Sequence, residues 1–341
     1  MDKSSKICIV GPGAIGGIVA GLLKWEGYDI QLVAKYPDLA KKISQHGIKL
    51  EGSSGDLRVK VPSVAFPEEL ADDFDYILIA TKSDGLVEAA KKMLPFLHRS
   101  TRVVSMQNGI CEEKLAGVVG EERTIGCVVG FGATMHEPGR VEMTTGGEFV
   151  IGNWNRQRDR ELKQLATILS HVVETRITDK IFEELYSKLI INSCTTTLGV
   201  ISGQFLGEML SSRLARKIGM EVMREAIAVA SGMGIRIPPA AKGKLDYYKF
   251  LAPGTFSNLK RHLTLRVIGM KYRKVKNSNL QSLKRGRKTE VANYNGYIVS
   301  KGKELGISTP VNEQLTSMVE EIEAGKRSIT PENFRKLDLK I

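Results

Sequence analysis

The 341-residue chain has few cysteines, few aromatic residues and no long apolar run. Its four cysteines lie far apart, without C-x-x-C spacing or a neighbouring group of histidines: Cys8, Cys111, Cys127 and Cys194. Their separation argues against a zinc site and predicts reduced core thiols in a cytoplasmic protein without a metal. A membrane-spanning helix needs roughly 20 apolar residues, and no segment approaches that length, so no membrane partner is expected.

Acidic residues are nearly missing from one long segment. From Lys242 to Lys288, fourteen Lys or Arg residues stand against a single acid, Asp246, whereas the whole chain has a formal net charge of +12. A field this local would attract an anion, such as a cofactor phosphate, a carboxylate substrate or a polyanion; the alternative is a solvated helical surface. The segment has no aromatic residues at stacking intervals and matches no nucleic-acid-binding signature, so nucleic acid is not the expected partner.

A glycine-rich sequence near the start has the context of a dinucleotide-binding turn. The apolar run 6–10 leads into Gly-Pro-Gly-Ala-Ile-Gly, and a helix-forming run follows over 18–23. In this pattern Gly11 allows the tight turn, Gly13 lets the backbone approach a pyrophosphate, and Gly16 lets the helix pack against the strand. The N–H groups and dipole of the helix N-terminus would bind the phosphates. Because the turn explains the apolar start, a signal peptide is not expected.

The end of the next predicted strand, 29–34, favours one form of the dinucleotide. NAD-binding folds carry an Asp or Glu there, about 20 residues past the glycines, which binds the ribose 2′-hydroxyl. Here the position holds Lys35, which can instead pair with a 2′-phosphate, and Lys41 and Lys42 follow. We therefore expect NADP(H). The alternative, NAD(H) with Lys35 in a solvated loop, stays open because Asp38 is close by.

Alternating strands and helices in the first half predict a doubly wound, Rossmann-type parallel sheet. Buried strands are expected at 75–80 and 102–106, with a crossover helix over 89–97 between them. Ligands on such sheets bind at the carboxyl ends of the strands, so the loops 81–83 and 107–109 should face the site. Closing strands, antiparallel to their neighbours, are expected at 124–129 and within 139–151, and one more helix at 161–173.

Past about residue 179 strand patterns nearly vanish and helical apolar spacing replaces them. Helices are expected over 181–192, 210–231, 260–275 and 291–305, and the polar tail from Gly325 should cap a helix or lie on the surface. The predicted fold class is therefore α/β, with an all-helical addition. Residues 1–179 would form a Rossmann NADP-binding domain, and residues 180–341 a helical substrate and catalytic domain.

Several short motifs, in a fixed order, resemble those of the ketopantoate reductase (2-dehydropantoate 2-reductase) family, and they cover nearly the whole chain. They are Gly11–Gly16, Thr81-Lys82, Gln107-Asn108-Gly109, Gly132-Ala133, Pro138-Gly139, Lys188 with Asn192, Arg287-Lys288-Thr289-Glu290, Asn295-Gly296 and Gly306–Asn312. The resemblance implies an N-terminal Rossmann domain, a helical C-terminal domain and NADPH. It also implies reduction of a 2-oxo acid, a small anion, to a 2-hydroxy acid, as in pantothenate biosynthesis.

The implied reaction leaves an alkoxide, which needs a proton donor. Lys188 is the candidate general acid, because its Leu- and Ile-rich helix would partly desolvate it. Asn192, one turn later on the same face, is a candidate substrate ligand together with Asn108 and Ser278, and Glu290 would orient Lys188 or accept from a substrate hydroxyl. Fingerprint and resemblance together give these candidate cofactor-binding residues: Gly11, Gly13, Ala14, Ile15, Gly16, Lys35, Lys82, Asn108, Ala133 and Glu290.

Four positions depart from the family's pattern on the substrate side. Thr196 and Leu206 stand where the family often has asparagines, and Ser282 and Ala292 stand where it has acids. The pocket around the 2-oxo acid head group is therefore expected to differ, and ketopantoate is expected to be a poor substrate.

Three functions stay open at this point. The first is an NADPH-dependent 2-oxo acid reductase, and the second an opine-type or other 2-hydroxy-acid dehydrogenase of similar architecture. The third is a non-catalytic NADP(H)-sensing protein that meets a partner through its basic segment. Retention of both Lys188 and Glu290 favours catalysis. The sequence leaves the identity of the 2-oxo acid and the oligomeric state open, a homodimer included.

Overall fold

The computed structural model describes residues 3–254, 257–273, 278–284, 286 and 288–339. Within these ranges the side chains of residues 241, 242, 278, 281 and 284 are not described. Packing divides the chain into two compact units, 1–185 and 186–341. The division falls inside a long helix, a few residues after the predicted boundary at 179/180.

The first unit is organised around a mostly parallel sheet. Its strands are β1 (Lys6–Val10), β2 (Asp29–Val33), β3 (Ile48–Gly52), β4 (Leu57–Val59), β5 (Ser63–Val64), β6 (Phe74–Ile79), β7 (Leu97–Ser105), β8 (Thr124–Val129), β9 (Gly132–Glu137), β10 (Arg140–Thr145), β11 (Phe149–Asn153) and β12 (Thr175–Ile177). Eight of them form the sheet β12-β11-β8-β7-β6-β1-β2-β5. All neighbours in it run parallel except β8 and β11. The predicted Rossmann-type sheet is confirmed.

Both faces of this sheet are buried, as expected of parallel strands flanked by helices. Successive residues of β1 alternate between two hydrophobic clusters: Ile7 and Ile9 belong to one, Cys8 and Val10 to the other. The flanking helices are α1 (Ala14–Trp25), α2 (Pro37–His46), α3 (Leu86–Met93), α4 (Glu112–Val119) and α5 (Arg160–Leu169). Because both faces are buried, these strands appear in the sequence as continuous apolar runs.

Two sequence-based expectations for this unit need correction. The crossover helix predicted over 89–97 is α3, which ends at Met93, and β7 already begins at Leu97. Pro95 lies in a 3₁₀ turn between them, because proline lacks the N–H that a continuing helix requires. The strand β10, expected to close the main sheet, instead belongs to a second sheet of order β4-β3-β10-β9.

This second sheet is half-buried, and its placement follows from the alternation in β10. Val141 and Met143 are buried, whereas the residues beside them are partly or fully exposed. Val141 packs against Gly17 on α1, so the buried face of the small sheet covers the helix that begins at the glycine turn. The sequence missed β3 and β4 because such short strands carry little periodic signal.

The second unit is helical, as predicted. It continues α6 (Ile181–Ser202) and adds α7 (Leu206–Ser211), α8 (Arg213–Gly232), α9 (Ala240–Gly243), α10 (Tyr247–Leu251), α11 (Ser257–Lys271), α12 (Ser278–Lys284), α13 (Asn295–Leu305) and α14 (Pro310–Glu323). The helix predicted over 210–231 is two helices, because Ser212 caps α8 by accepting from the Ala215 N–H. The one predicted over 291–305 begins as a 3₁₀ turn, Val291–Asn293.

The end of the chain packs more closely than its polar composition suggests. A 3₁₀ segment, Pro331–Lys336, buries Phe334, and Asn333 Nδ2 donates to the Ile201 carbonyl on α6. Among the residues that the structure describes, no helix is long and apolar enough to cross a membrane, and no cluster of His, Cys, Asp and Glu suits a metal ion. All four cysteines are free and buried, which confirms the predicted core thiols.

Candidate active site

The glycine turn between β1 and α1 has the geometry that its sequence predicts. Gly11 has φ of 108°, in the left-handed region that favours glycine. A Cβ on Gly16 would lie 2.0 Å from the Gly11 carbonyl oxygen, so a larger residue there would push the helix off the turn. At Gly13 the nearest atom to such a Cβ is the Ala80 carbonyl oxygen, 4.0 Å away. Only the middle glycine therefore leaves space beside the turn.

Three observations fit a dinucleotide pyrophosphate at this turn. The N-terminus of α1 has no side-chain cap and no acid in its first turn, so its N–H groups remain available to an anion. Gly11 approaches the backbone of Ala80 and Thr81 so closely that a Cβ would lie 3.0 Å from each. The buried Thr81 hydroxyl has no hydrogen-bond partner in the described part of the chain. The turn thus offers donors and a polar group that its own fold does not use.

Lys35 follows β2 directly and is exposed. Its backbone has φ of 72°, an uncommon conformation for a residue other than glycine. Its N–H donates to the Ala65 carbonyl. The ammonium lies 5.9 Å from the centre of the Tyr36 ring. The structure therefore presents a cation and an aromatic ring side by side at the end of this strand, where the sequence predicts the cofactor's ribose.

The loops after β6 and β7 are joined by one side chain, Gln107. Its amide nitrogen donates to the carbonyls of Ile79 and Thr81, at 2.9 and 3.2 Å, and its Oε1 accepts from the Ser105 hydroxyl at 2.8 Å. Gly109, with φ of 91°, completes the second loop. Gln107 thereby fixes Asn108, which is partly buried, relative to the loop that carries Lys82. Sequence reasoning named this loop but gave Gln107 no role.

Ala133 lies on β9, in the second sheet, where it pairs with Met143 of β10. It is partly buried and packs against the larger hydrophobic cluster of the first unit. Both β9 and β10 pack on α1. Ala133 therefore belongs to the layer that covers the helix of the glycine turn, rather than to the main sheet.

Helix α6 presents Lys188 and Asn192 from one face. The turn that carries Lys188 is fixed by its neighbours: the Tyr186 hydroxyl donates to the Ala226 carbonyl, and the Tyr247 hydroxyl donates to the Ser187 carbonyl at 2.6 Å. The Ser187 hydroxyl donates to the Pro238 carbonyl at 2.9 Å. Lys188 itself is partly buried. This turn of α6 is thus held by side-chain hydrogen bonds to three other segments of the helical unit.

Asn192 has a hydrogen-bond donor that the described part of the fold does not use. Its Nδ2 atom is buried and has no hydrogen-bond partner within the described ranges. Because a buried, unpaired amide costs roughly 1–3 kcal/mol, such a group is expected to be satisfied by something outside the fold. One turn from Lys188, this donor suits a carboxylate or carbonyl oxygen of a bound molecule.

Glu290 is buried, with 7% of its surface exposed, and its Oε2 accepts from the Tyr294 hydroxyl at 3.1 Å. The neighbouring Asn295 is fully buried and ties this segment to α6. Its Oδ1 accepts from the Thr197 hydroxyl at 2.5 Å, and its Nδ2 donates to the Ser193 carbonyl at 3.4 Å. The segment that carries Glu290 is therefore joined to the turns of α6 that follow Asn192.

A carboxylate on α8 completes this buried network. Glu225 accepts from the N–H groups of Val311 and Asn312, at 2.8 and 2.9 Å, at the start of α14, and from the Asn312 side chain at 2.6 Å. Asn312 Oδ1 in turn accepts from Asn295. Burial raises the pKa of Glu225, although these hydrogen bonds favour its charged form. The motif over 306–312 therefore acts in packing, behind the helix that carries Lys188.

Part of the predicted substrate side lies outside the described residues. Ser278 begins α12, but its side chain is not described, and neither Lys274, Lys276, Arg285 nor Arg287 of the basic segment is described at all. Among the members that are, Arg261 is buried and donates to the carbonyls of Phe250, Leu251 and Ala252. Arg261 is thus a structural residue rather than part of an attracting surface.

Comparison with known proteins decides the family. The ketopantoate reductase (PanE/ApbA) pattern matches residues 7–156, and its C-terminal counterpart matches residues 180–323. The 2-dehydropantoate 2-reductase of Pyrococcus abyssi is 30% identical over 94% of this chain and 98% of its own. That of Aquifex aeolicus is 29% identical over 92% and 96%. A PanE/ApbA family ketopantoate reductase from Ralstonia eutropha superimposes with a TM-score of 0.79, at 28% identity, over 95% of this chain and 100% of that one.

The chain belongs to the ketopantoate reductase family. It is an oxidoreductase of the NAD(P)-dependent kind that acts on a CH–OH group. The resemblance stated from the sequence motifs is confirmed, together with the fold class.

Proposed function

We propose that this family member reduces a 2-oxo acid to a 2-hydroxy acid with NADPH. The observation that carries the proposal is the buried, unpartnered Nδ2 of Asn192, one turn from Lys188 on α6. A donor beside an ammonium suits the carboxylate and carbonyl oxygens of a 2-oxo acid. The uncapped glycine turn of the first unit supports the coenzyme half of the proposal.

The coenzyme would be held by residues of the first unit. The N–H groups after Gly13 would bind the pyrophosphate, and Lys35, beside Tyr36, would pair with the 2′-phosphate that distinguishes NADPH from NADH. Lys82, Asn108 and Ala133 are the further contacts that we propose. When bound, the reduced nicotinamide supplies the hydride. The alternative, NADH, remains the outcome to expect if Lys35 makes no such pair.

Lys188 would act as the general acid. Addition of hydride to the ketone carbon turns the carbonyl oxygen into an alkoxide, and a proton moves from Nζ of Lys188 to that oxygen. The product is the 2-hydroxy acid, and Lys188 regains its proton from solvent. Asn192, Asn108 and Ser278 would orient the substrate, while Glu290, anchored by Tyr294, would orient Lys188 or accept from a substrate hydroxyl.

The side chain of the substrate is proposed to differ from that of ketopantoate. Leu206 opens α7 and Ala292 is exposed, so neither offers the polar group that the family often has at these positions. Thr196 and Ser282 are likewise shorter than the residues they replace. A site that lacks partners for a substrate hydroxyl loses much of its discrimination for it. We therefore expect another 2-oxo acid to be preferred.

The decisive experiment measures NADPH oxidation over a panel of 2-oxo acids that includes ketopantoate. One 2-oxo acid should reach a kcat/KM within the usual enzyme range, about 10⁴–10⁸ M⁻¹s⁻¹, with ketopantoate well below it. Efficient ketopantoate reduction would show that the four replacements are neutral. Activity that requires an added amino acid would identify an opine-type dehydrogenase instead.

Two further measurements separate the remaining alternatives. The second-order rate constant should fall as salt rises, because exposed cations such as Lys249, Lys260 and Arg266 would gather anionic substrates. A salt-sensitive shift of nucleic acid, without any turnover, would favour the NADP(H)-sensing alternative. A cytoplasmic location, expected from the four free cysteines, stays a prediction.

A further inference from the structure

An apolar stripe runs along the exposed side of α11 and consists of Leu259, Leu263, Val267 and Met270. Successive members are three or four residues apart, so they share one face of the helix. Their exposed fractions are 70%, 60%, 50% and 62%. By contrast, the exposed positions of α14 after its first residue hold only polar side chains: Glu313, Ser317 and Glu320. A contiguous row of large apolar side chains at the surface indicates a contact with something outside the fold.

The opposite face of α11 is already buried within the helical unit. Its buried residues are Arg261, Leu265 and Gly269. Gly269 packs on α7 so closely that a Cβ there would lie 2.8 Å from the Cβ of Leu210. The Arg261 guanidinium donates to three carbonyls at the end of α10. The helix is therefore held by one face, and the stripe points away from the described part of the unit.

Cations border the stripe on both sides. At about 100° of rotation per residue, Lys260 and Lys271 lie along one edge of the stripe and Arg266 along the other. All three cations are exposed, and α11 contains no acidic residue. The wider segment 242–288 has a single acid, Asp246, whose carboxylate caps α10. The surface around the stripe is thus positively charged, and its electrostatic complement is an anionic surface.

The charge and composition of this surface favour a lipid bilayer over a protein. A second copy docked stripe to stripe would bring like charges together, which disfavours that contact. The residues that dominate protein–protein contacts are Trp, Tyr and Arg, whereas Leu and Val are under-represented, and the stripe has no aromatic member. An apolar row flanked by Lys and Arg is instead typical of helices that lie in the plane of a bilayer surface. There the row enters the acyl boundary and the cations meet anionic headgroups.

We propose that the α11 stripe and its bordering cations dock reversibly on the surface of a bilayer that contains anionic phospholipid. The sequence-based expectation of no membrane partner rests on the length that a spanning helix needs, and a helix in the plane of the bilayer surface needs no such length. The proposal uses none of the residues assigned to coenzyme binding, substrate binding or proton transfer. It therefore stands or falls independently of the proposed reaction.

The first test sediments the full-length protein with vesicles, without coenzyme or substrate. Vesicles of equal parts phosphatidylglycerol and phosphatidylcholine should bind it about 10- to 100-fold more strongly than vesicles of phosphatidylcholine alone, and less strongly as salt rises. Leu263→Asp, which places a charge in the middle of the stripe, should lower the partition coefficient by about 10-fold or more. The matched control is Leu94→Asp, at an exposed leucine of the first unit, which should bind as the wild type does.

Charge reversal tests the cations separately. Lys260→Glu should lower the affinity for the anionic vesicles by about 5- to 25-fold, since each cation near such a surface contributes a factor of about five. Lys60→Glu, at an exposed lysine of the first unit, is the control and should have little effect. Because all these side chains are exposed, the denaturant midpoints of the variants should match that of the wild type.

Three results would overturn the proposal. The first is equal binding of the wild type to anionic and neutral vesicles. The second is a Leu263→Asp variant that binds anionic vesicles as the wild type does, which would reduce the contact to charge alone. The third is a wild-type dimer that Leu263→Asp dissociates in sedimentation velocity, without vesicle binding, which would assign the stripe to a second copy of the chain.

Discussion

The two units hold their candidate functional residues in different ways. In the first unit the glycine turn depends on the absence of side chains. A Cβ on Gly16 would clash with the Gly11 carbonyl oxygen, and no side chain caps the N-terminus of α1. In the second unit, α6 works through side chains that distant segments hold in place, such as the Tyr247 hydroxyl on Ser187. The turn of the first unit should therefore lose its function when a side-chain atom is added to it, and α6 of the second unit when a side chain is removed.

The largest effect is expected from removing the ammonium of Lys188. Lys188→Ala should lower kcat by about 10²–10⁴-fold, the range for loss of a general acid, while the affinity for NADPH stays nearly constant. Steady-state kinetics and a fluorescence titration with NADPH measure the two quantities. Lys180→Ala, at an exposed lysine just before α6, is the control. Near-normal turnover of Lys188→Ala on the preferred substrate would remove Lys188 from the mechanism.

Adding a methyl group to the glycine turn should be the most damaging change in the first unit. Gly16→Ala places a Cβ 2.0 Å from a backbone oxygen, so the turn must open. The free energy of unfolding should fall by about 1–3 kcal/mol, and coenzyme affinity should fall with it. Gly117→Ala on α4 is a sharp control, since nothing lies within 4 Å of its Cβ.

That control should stabilise the protein by about 0.5–1 kcal/mol, because alanine favours a helix over glycine. Denaturant unfolding compares the two variants. A Gly16→Ala variant as stable as Gly117→Ala, with unchanged coenzyme affinity, would contradict the close packing at the turn.

Stability should also depend on pH through Glu112, the fully buried first residue of α4, because burial raises its pKa to about 7. An unfolded glutamate ionises near 4.5, whereas the folded protein holds the proton up to about 7. Stability from this source is fully present below pH 4.5 and is lost as pH rises through 7. Relative to Glu112→Gln, the wild type should therefore lose on the order of 2–3 kcal/mol between pH 4.5 and pH 8. A pH-independent difference in unfolding free energy between the two proteins would contradict the buried neutral carboxyl.

The smallest expected effect concerns coenzyme choice. Lys35→Asp should erase or invert a preference for NADPH over NADH worth about 1–3 kcal/mol, the size of a charge-assisted hydrogen bond. Lys35→Asn separates charge from backbone conformation, because asparagine tolerates positive φ and has no charge. Lys60→Asp, at another exposed lysine, is the control. Equal wild-type affinities for NADH and NADPH, measured by titration, would show that Lys35 does not bind the 2′-phosphate.

The contrast between the two units also explains what the sequence could predict. The turn at Gly11–Gly16 is set by local backbone conformation, so six adjacent residues suffice to recognise it. The second sheet was missed because β3 and β4 are short, and because β3 pairs with β10, a strand almost a hundred residues away. The roles of Gln107 and Asn295 depend on bonds across the fold, which periodicity cannot reveal.

Glu112 shows this limit of sequence-based prediction more clearly. Two acids in the first turn of a helix normally indicate an exposed N-terminus that interacts favourably with the helix dipole. Glu113 fits this pattern, whereas Glu112 is buried beneath β8 and the start of α6. Only the packing of Gly126 and Ile181 against it distinguishes the two residues. Nothing in the local sequence separates a buried carboxyl from its exposed neighbour.

The central claim, hydride transfer to a 2-oxo acid, is tested most directly by isotope transfer. NADPH deuterated at C4 of the nicotinamide is incubated with the protein and the preferred 2-oxo acid, and the product is analysed by mass spectrometry and NMR. The account predicts one deuterium at C2 of the 2-hydroxy acid, with its yield abolished or strongly reduced in Lys188→Ala. A 2-hydroxy acid without deuterium at C2, or NADPH oxidation without that product, would contradict it.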